Sequence, residues 1–146
     1  MKIIIGSDHA GFELKTHVVE WLKQNNYDFF DYGVFSKDSV DYPDIAYNIA
    51  TLVSKAEYTR GIIICGTGIG VCITANKVKG IRAALCNDII SAELSRKHND
   101  ANILNMGGRL VTPTIADRIL EIWLSTEFEK GRHQTRLDKI SFFESM

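Results

Sequence analysis

Short β-branched runs alternate along the chain with segments whose apolar residues recur at helical spacing. Lys2–Ile5 predicts a strand. A helix is expected over about residues 11–24, where Phe12, Leu14, Val18, Trp21 and Leu22 fall at near-helical intervals. Asn25-Asn26 ends it, and Tyr27–Asp31 reads as a second strand. Tyr42-Pro43-Asp44 opens the next helix, with Pro43 in the first turn, where a missing N–H is tolerated. The apolar set of that helix is Ile45, Ala46, Ile49, Leu52 and Val53. Gly61–Ile64 predicts a third strand, too apolar to alternate, so both of its faces are expected to be buried. A helix follows the next loop to about Lys77. Ile81–Leu85 is a fourth strand, and Asn87 or Asp88 caps a helix to about Lys97. Asn102–Met106 is a fifth strand. Thr112-Pro113 caps a helix through about Leu124, and a turn at Gly131-Arg132-His133 leads into a short terminal helix.

Five strands alternating with helices predict an α/β fold, a parallel sheet covered on both faces. Its 146 residues suit one domain, spanning 1–146. A chain of this size buries enough surface to need no metal or disulfide staple. The net charge of −1 gives no general drive toward nucleic acid or an anionic membrane. The run Met1-Lys2-Ile3-Ile4-Ile5-Gly6 is too short for a signal-peptide core, and no stretch approaches the length of a membrane span. A cytoplasmic location is expected. Cys65, Cys72 and Cys86 are an odd count without a CxxC pair, which argues against a disulfide framework or a zinc site.

Open parallel sheets place ligands beyond the carboxyl ends of their strands. The segments expected there are Ser7-Asp8-His9, Cys65 to Gly70, Cys86-Asn87-Asp88 and Gly107-Gly108-Arg109. The strongest local signal is Cys65-Gly66-Thr67-Gly68-Ile69-Gly70, between a strand and a helix. Its glycines allow a sharp turn that points backbone N–H groups inward, toward an anion such as a phosphate or an enediolate. Familiar phosphate loops fail at one position. A Walker loop needs Gly-Lys-Ser/Thr at its end, a cysteine phosphatase loop needs arginine at 71, and a dinucleotide fingerprint needs glycine or alanine there; the residue is Val71. Asp88 does stand roughly twenty residues on, as a ribose-binding acid would.

Cys65 sits where a strand meets a helix N-terminus, a setting that favours thiolate and suits either a nucleophile or a general base. Cys72, inside a helix, and Cys86, ending an apolar strand, read as buried packing residues. Asp8-His9 and His98-Asn99-Asp100 stand at element ends among polar neighbours, where histidine can move protons near neutral pH. His17 lies within the first helix and carries no such signal. Arg132 and Arg136 are four residues apart and share a helical face, and Arg109 follows a Gly-Gly turn; arginine forks match phosphate oxygens.

As a set these residues resemble one family, the type B ribose-5-phosphate isomerases with their galactose-6-phosphate isomerase relatives. The matching segments are Ser7-Asp8-His9-Ala10-Gly11, Asp41-Tyr42-Pro43, Cys65 to Gly70, Ala75-Asn76-Lys77, Gly80-Ile81-Arg82-Ala83, His98-Asn99-Asp100-Ala101-Asn102, Gly107-Gly108-Arg109 and Gly131-Arg132-His133. They run from the first strand to the last helix. Each is weak alone; their order and spacing together are specific.

The resemblance implies a three-layer α/β/α Rossmann-like sandwich. It also implies a homodimer, often paired into a dimer of dimers, with sites at the dimer interface. The implied reaction is metal-independent aldose–ketose isomerisation of ribose 5-phosphate and ribulose 5-phosphate, without cofactor. Cys65 is then the base that moves a proton between C1 and C2, and Thr67 shuttles protons among the oxygens. The amides of Gly66, Thr67, Gly68, Ile69 and Gly70 hold the enediolate. His98 helps open the furanose ring, with Asp8 close by, and Asn99 binds sugar hydroxyls. His9, Arg109, Arg132 and Arg136 surround the phosphate. Some family members use a glutamate base; cysteine at 65 places this chain with the cysteine branch. A six-carbon sugar phosphate (galactose or allose 6-phosphate) is the alternative substrate, and a non-catalytic phosphate-ligand or nucleotide sensor is a third reading.

Overall fold

The computed structural model describes residues 1–146. The elements run β1 (Lys2–Ser7), α1 (Phe12–Gln24), β2 (Asp28–Gly33), α2 (Tyr42–Ser54), β3 (Arg60–Cys65), α3 (Ile69–Ala75), β4 (Ala83–Leu85), α4 (Ile89–Asn99), β5 (Ile103–Gly107), α5 (Pro113–Ser125) and α6 (Arg132–Glu144). The strands form one sheet in the order β2-β1-β3-β5-β4. Every pairing is parallel. The expected three-layer α/β/α sandwich is the architecture observed.

The apolar runs explain which strands are central. β1, β3 and β5 are buried along nearly their whole length, as continuous hydrophobic strands must be when helices cover both faces. Successive side chains of these strands feed two cores. On one face Ile3, Ile5, Ile62, Ile64, Leu104 and Met106 pack against α1, α4 and α5. On the other Ile4, Ile63, Cys65 and Ile103 pack against α2 and α3. The period of two along a strand produces this division.

The helix faces also record how the chain winds. The steps β1 to β2 and β4 to β5 run toward one edge with their helices, α1 and α4, on the first face. The steps β2 to β3 and β3 to β4 run the other way, with α2 and α3 on the second face. Right-handed crossovers require that pairing of direction and face. The winding therefore reverses between neighbouring β1 and β3, and open α/β sheets bind ligands at such a crevice.

Several elements differ from the sequence expectation, β2 among them, which covers Asp28–Gly33 rather than 27–31. β4 covers Ala83–Leu85 rather than 81–85, because the Arg82 amide donates to Asn102 Oδ1 (2.8 Å) and leaves the ladder. α3 ends at Ala75 rather than Lys77. The terminal helix is not short: α6 has 13 residues, with only His133 and Leu137 buried, and Glu144 accepts the Gly80 amide at its C-terminal end. Both expected caps form, Asp88 accepting from the Ser91 amide and Thr112 from that of Ile115. No helix is long and apolar enough to cross a membrane.

Candidate active site

Beyond the carboxyl ends of β1, β3 and β5, a cavity of about 470 Å³ opens between the start of α1 and the start of α3. Asp8, His9, Cys65 to Thr67, Gly70 and Arg109 line it, with Tyr42 and Ile73 on its rim. A second hollow continues from it over Asp8 and His9 to the 39–44 segment. The volume falls in the range of sites for small ligands.

The Cys65–Gly70 loop is held from behind by its carbonyls. Cys65 O accepts the Gly108 amide at 2.8 Å, and Gly66 O accepts that of Arg109 at 3.0 Å. Thr67 O accepts Asn87 Nδ2 at 3.1 Å, while Asn87 Oδ1 accepts the Gly107 amide at 2.7 Å. Asn87 thus clamps the loop to the end of β5. Of the loop's amides, Gly68 N donates to Cys65 Sγ at 3.2 Å and Ile69 N to Thr67 Oγ1 at 3.2 Å. The amides of Gly66, Thr67 and Gly70 have no protein acceptor. Backbone donors left in this way are built to meet an anion. Five loop amides were expected to share that work; the geometry leaves three for it and uses two to fix Cys65 and Thr67.

Glycine is required at two positions here. Gly68 has φ +81°, and a Cβ there would lie 2.6 Å from Leu85 Cδ1 and 2.8 Å from the Met106 carbonyl carbon. A Cβ on Gly70 would meet the Tyr42 ring at 2.4 Å, so this glycine lets the aromatic ring close over the loop.

Asp8 is 6% exposed, and its Oδ1 accepts the Gly11 amide at 3.0 Å. His9 Nδ1 accepts the Val40 amide at 3.2 Å. Neutral His9 therefore carries its proton on Nε2, where it can donate to a ligand. The Arg109 guanidinium lies against Gly66, within 3.1 Å of where a Cβ would stand. One concave surface thus joins a thiol, a carboxylate, an imidazole donor, unpaired amides and a guanidinium. It can bind an oxyanion and move a proton beside it.

His98, Asn99, Arg132 and Arg136 are not part of this cavity. α4 begins just beyond the carboxyl end of β4 and runs back for 11 residues, about 16 Å of helix. Its C-terminal His98 therefore stands at the amino edge of the sheet. There it stacks on His133 at 4.2 Å between ring centroids. His133 opens α6 beside Arg132, with Arg136 one turn on. Burial, with His98 and Arg132 nearby, lowers the His133 pKa below the ordinary imidazole value. The expected site residues thus form two clusters at opposite ends of one chain.

Cys86 is fully buried and fits the packing role, whereas Cys72 is only half-buried. Burial raises the Cys72 thiol and pushes Cys86 up to about 11. His17, without a role in the sequence reading, pairs with Asp117 at 2.7 Å and ties α1 to α5. Ile73 of the cavity has no counterpart in the sequence reading, and Tyr42 of the cavity and Asn87 behind the loop have other roles there. Tyr42 reads as a helix opener and as part of the matching segment Asp41-Tyr42-Pro43, without a place at the site. Asn87 reads as a candidate cap, a role Asp88 fills, and as part of the strand-end segment Cys86-Asn87-Asp88; its clamp on the loop carries no local signal.

The family model described as Ribose/Galactose Isomerase matches residues 3–140. Ribose-5-P isomerase B of Listeria innocua is 49% identical over 138 residues, 94% of this chain and 93% of that protein. The structure of ribose-5-phosphate isomerase B from Clostridium thermocellum superposes with a TM-score of 0.97 at 50% identity, covering 99% of this chain and 98% of that one. Ribose-5-phosphate isomerase B from Mycoplasma genitalium, solved with ribulose 5-phosphate bound, gives 0.94 at 43% identity, covering 99% and 96%. On these grounds the chain belongs to the ribose/galactose isomerase family.

Proposed function

We propose that this protein is an aldose–ketose isomerase interconverting ribose 5-phosphate and ribulose 5-phosphate. The observation that carries the reading is the meeting of Cys65, Asp8, His9, Arg109 and three unpaired loop amides in one cavity at the β1/β3 reversal. Relatives named for this reaction, one of them holding ribulose 5-phosphate, support the substrate.

In the aldose-to-ketose direction the Cys65 thiolate takes the C2 proton, and the C1 oxygen gains charge as the enediolate forms. The amides of Gly66, Thr67 and Gly70 stabilise that charge, since donors fixed in advance need no reorganisation. Thr67 Oγ1 passes a proton between the two oxygens. The thiol then returns its proton to C1, leaving the ketone at C2. His9 and Arg109 hold the phosphate, whose binding far from C1 and C2 supplies orientation. The reading includes no metal or cofactor and has a cytoplasmic setting, supported by three cysteines present as free thiols.

A complete site on this reading takes two copies of the chain. Asp8 would stay beside the sugar, while the partner's His98 opens the furanose ring. The partner's Asn99 binds hydroxyls, and the partner's Arg132 and the partner's Arg136 close on the phosphate. Two exposed apolar stripes support such a homodimer. Ile69 and Ile73, 49% and 57% exposed, flank the cavity on α3. Ile90 and Leu94, 70% and 39% exposed, lead along α4 to His98 at four-residue spacing. Pairs of dimers are compatible with the further apolar surface at Phe142 and Phe143 on α6.

The test is an isomerase assay of the purified protein in chelator, with Cys65→Ala as control. Ribose 5-phosphate should be converted, and the variant should fall by at least ~10²-fold, the low end for acid–base groups. Full activity in Cys65→Ala removes the assigned base. Specificity constants on five- and six-carbon phosphates decide between the pentose reading and a hexose phosphate.

A further inference from the structure

Asn76, Arg82, Asp100 and Asn102 lie in three of the segments that carry the family resemblance, yet none of them lines the cavity. Their hydrogen bonds form one connected support. Asn76, just after α3, takes both main-chain groups of Ala83: its Oδ1 accepts the amide and its Nδ2 donates to the carbonyl, each at 2.9 Å. Asn102 holds the same segment from the other side. Its Oδ1 accepts the Arg82 amide at 2.8 Å, and its Nδ2 donates to Gly80 O at 2.9 Å. The backbone of Arg82 is thus pinned between two asparagine side chains.

The Arg82 side chain then crosses to the end of α4. Its Nε donates to Asn99 O at 2.9 Å, and its Nη2 donates to Asp100 O at 2.9 Å and to Asp100 Oδ2 at 3.2 Å. Behind it the buried Arg96 donates from Nη1 to Asp100 Oδ1 at 2.9 Å and to Ala101 O at 2.6 Å. A partly exposed Arg–Asp pair alone contributes little. Here the guanidinium meets main-chain carbonyls as well, the groups that a helix C-terminus leaves without intrahelical donors. Asp100 stands in left-handed backbone, φ +45°, so the chain leaves the helix at the residue both arginines hold. His98 and Asn99 come immediately before it.

We infer that Arg82 is a positioning residue, pinned by Asn76 and Asn102, that fixes the last turn of α4 and so aims His98 and Asn99 at the sugar, an inference that rests on the function proposed above. Arg82 itself touches no substrate. It acts through the backbone of the two residues that the proposed dimer offers across its interface, and small displacements of such groups are costly in rate. Lysine is a poor replacement, since an ammonium lacks the planar fork that reaches two successive carbonyls.

The experiment compares Arg82→Gln and Arg82→Lys with wild type in the full-length protein, with urea unfolding to show that each is folded in the assay. kcat/KM on ribose 5-phosphate should fall by ~10- to ~10²-fold in Arg82→Gln. The loss in Arg82→Lys should be smaller, because one carbonyl contact survives. In a chain already carrying His98→Asn and Asn99→Ala, adding Arg82→Gln should cost no more than about twofold, since the groups it positions are gone. An equal loss in both backgrounds overturns the proposal and makes Arg82 a general fold residue, as does unchanged turnover in Arg82→Gln. Amide hydrogen exchange reads the support without activity. The Asp100 and Ala101 amides, which donate to Arg96 O and Ser95 O, should lose protection ~10-fold in Arg82→Gln while β3 and β5 keep theirs. Unchanged protection at the end of α4, or an equal loss throughout the sheet, overturns the proposal. The two readings fail separately: full turnover in His98→Asn removes that residue from the proposed reaction, whereas the exchange result bears on Arg82 alone.

Discussion

Cys65 Sγ accepts the backbone N–H of Gly68 at 3.2 Å, so the sulfur is fixed by the turn that forms the anion cradle. A donor aimed at sulfur interacts more strongly with a thiolate than with a neutral thiol. The same turn depends on the left-handed backbone of Gly68, and its α-carbon is closed in by Leu85 and Met106.

Gly68→Ala should therefore disturb both stability and chemistry. Left-handed backbone on a residue with a side chain costs about 1–3 kcal/mol where neighbours allow it. Here a Cβ also meets the Met106 backbone at 2.8 Å, which cannot swing aside. Urea unfolding should show a loss at the upper end of that range or beyond. In the fraction that folds, kcat should drop with the displacement of Cys65. Wild-type stability and turnover in this variant would mean that the loop tolerates another geometry.

Asn87 makes a separate prediction, since it joins Thr67 O to the Gly107 amide with two hydrogen bonds. Asn87→Asp keeps the acceptor and loses the donor, whereas Asn87→Ala loses both. Turnover should fall in that order, by roughly tenfold for each bond worth about 1.4 kcal/mol in the transition state. KM should move less than kcat, because the loop's alignment rather than phosphate binding is affected. Equal changes in both constants for both variants would reduce Asn87 to a fold residue.

What the sequence discloses and what it conceals have physical causes. β1, β3 and β5 are legible because a strand buried on both faces is an unbroken apolar run. β4 is an edge strand of three residues, and the side chain of Asn102 decides where it begins. α6 buries only His133 and Leu137, too few for an apolar period to reveal 13 residues. The Cys65–Gly70 loop is contiguous, so its residues announce a strand–turn–helix junction. The Asn87 clamp joins residues twenty positions away on either side, which no local pattern carries. The separation of His98 from Cys65 follows from the direction of α4, and that is fixed only when the strands are laid side by side.

The remaining cysteines should be silent. Cys86 is fully buried with a thiol pushed up to about 11, and burial also raises Cys72. Reagents attack thiolate. Iodoacetamide on the native protein at pH 8 should leave Cys86 unmodified, with Cys65 as the site whose labelling tracks loss of activity. Mass spectrometry assigns the sites; labelling of Cys86 at the rate of Cys65 would contradict the burial.

Asp88 predicts an acid-dependent contribution to stability. The Ser91 amide, then its hydroxyl, hold the Asp88 carboxyl below the usual aspartate value. A carboxyl whose folded pKa is depressed stabilises above its unfolded pKa, and the contribution is lost as pH falls through the folded one. Asp88→Ala should cost about 1 kcal/mol at neutral pH, the usual worth of an N-cap. The gap to wild type should shrink below about pH 4, near the unfolded aspartate value. A gap constant from pH 7 to pH 3 would show that the cap acts without its charge.

The proposed two-chain site makes the sharpest prediction, because the two clusters can be disabled separately. Cys65→Ala removes the base from the cavity, and His98→Asn removes the ring-opening acid from the far edge of the sheet. In an isologous dimer each site draws Cys65 from one chain and His98 from the other. Unfolding the two variants together and refolding them makes half of the dimers mixed. One site of each mixed dimer then carries both defects and the other carries neither. Activity should return to about one quarter of the wild-type level, although each variant alone is impaired. Sites confined within single chains would give only the average of the two variants. His98→Asn adds a second readout: it should slow ring-closed substrate more than an open-chain one, and equal losses would remove its role in opening the ring.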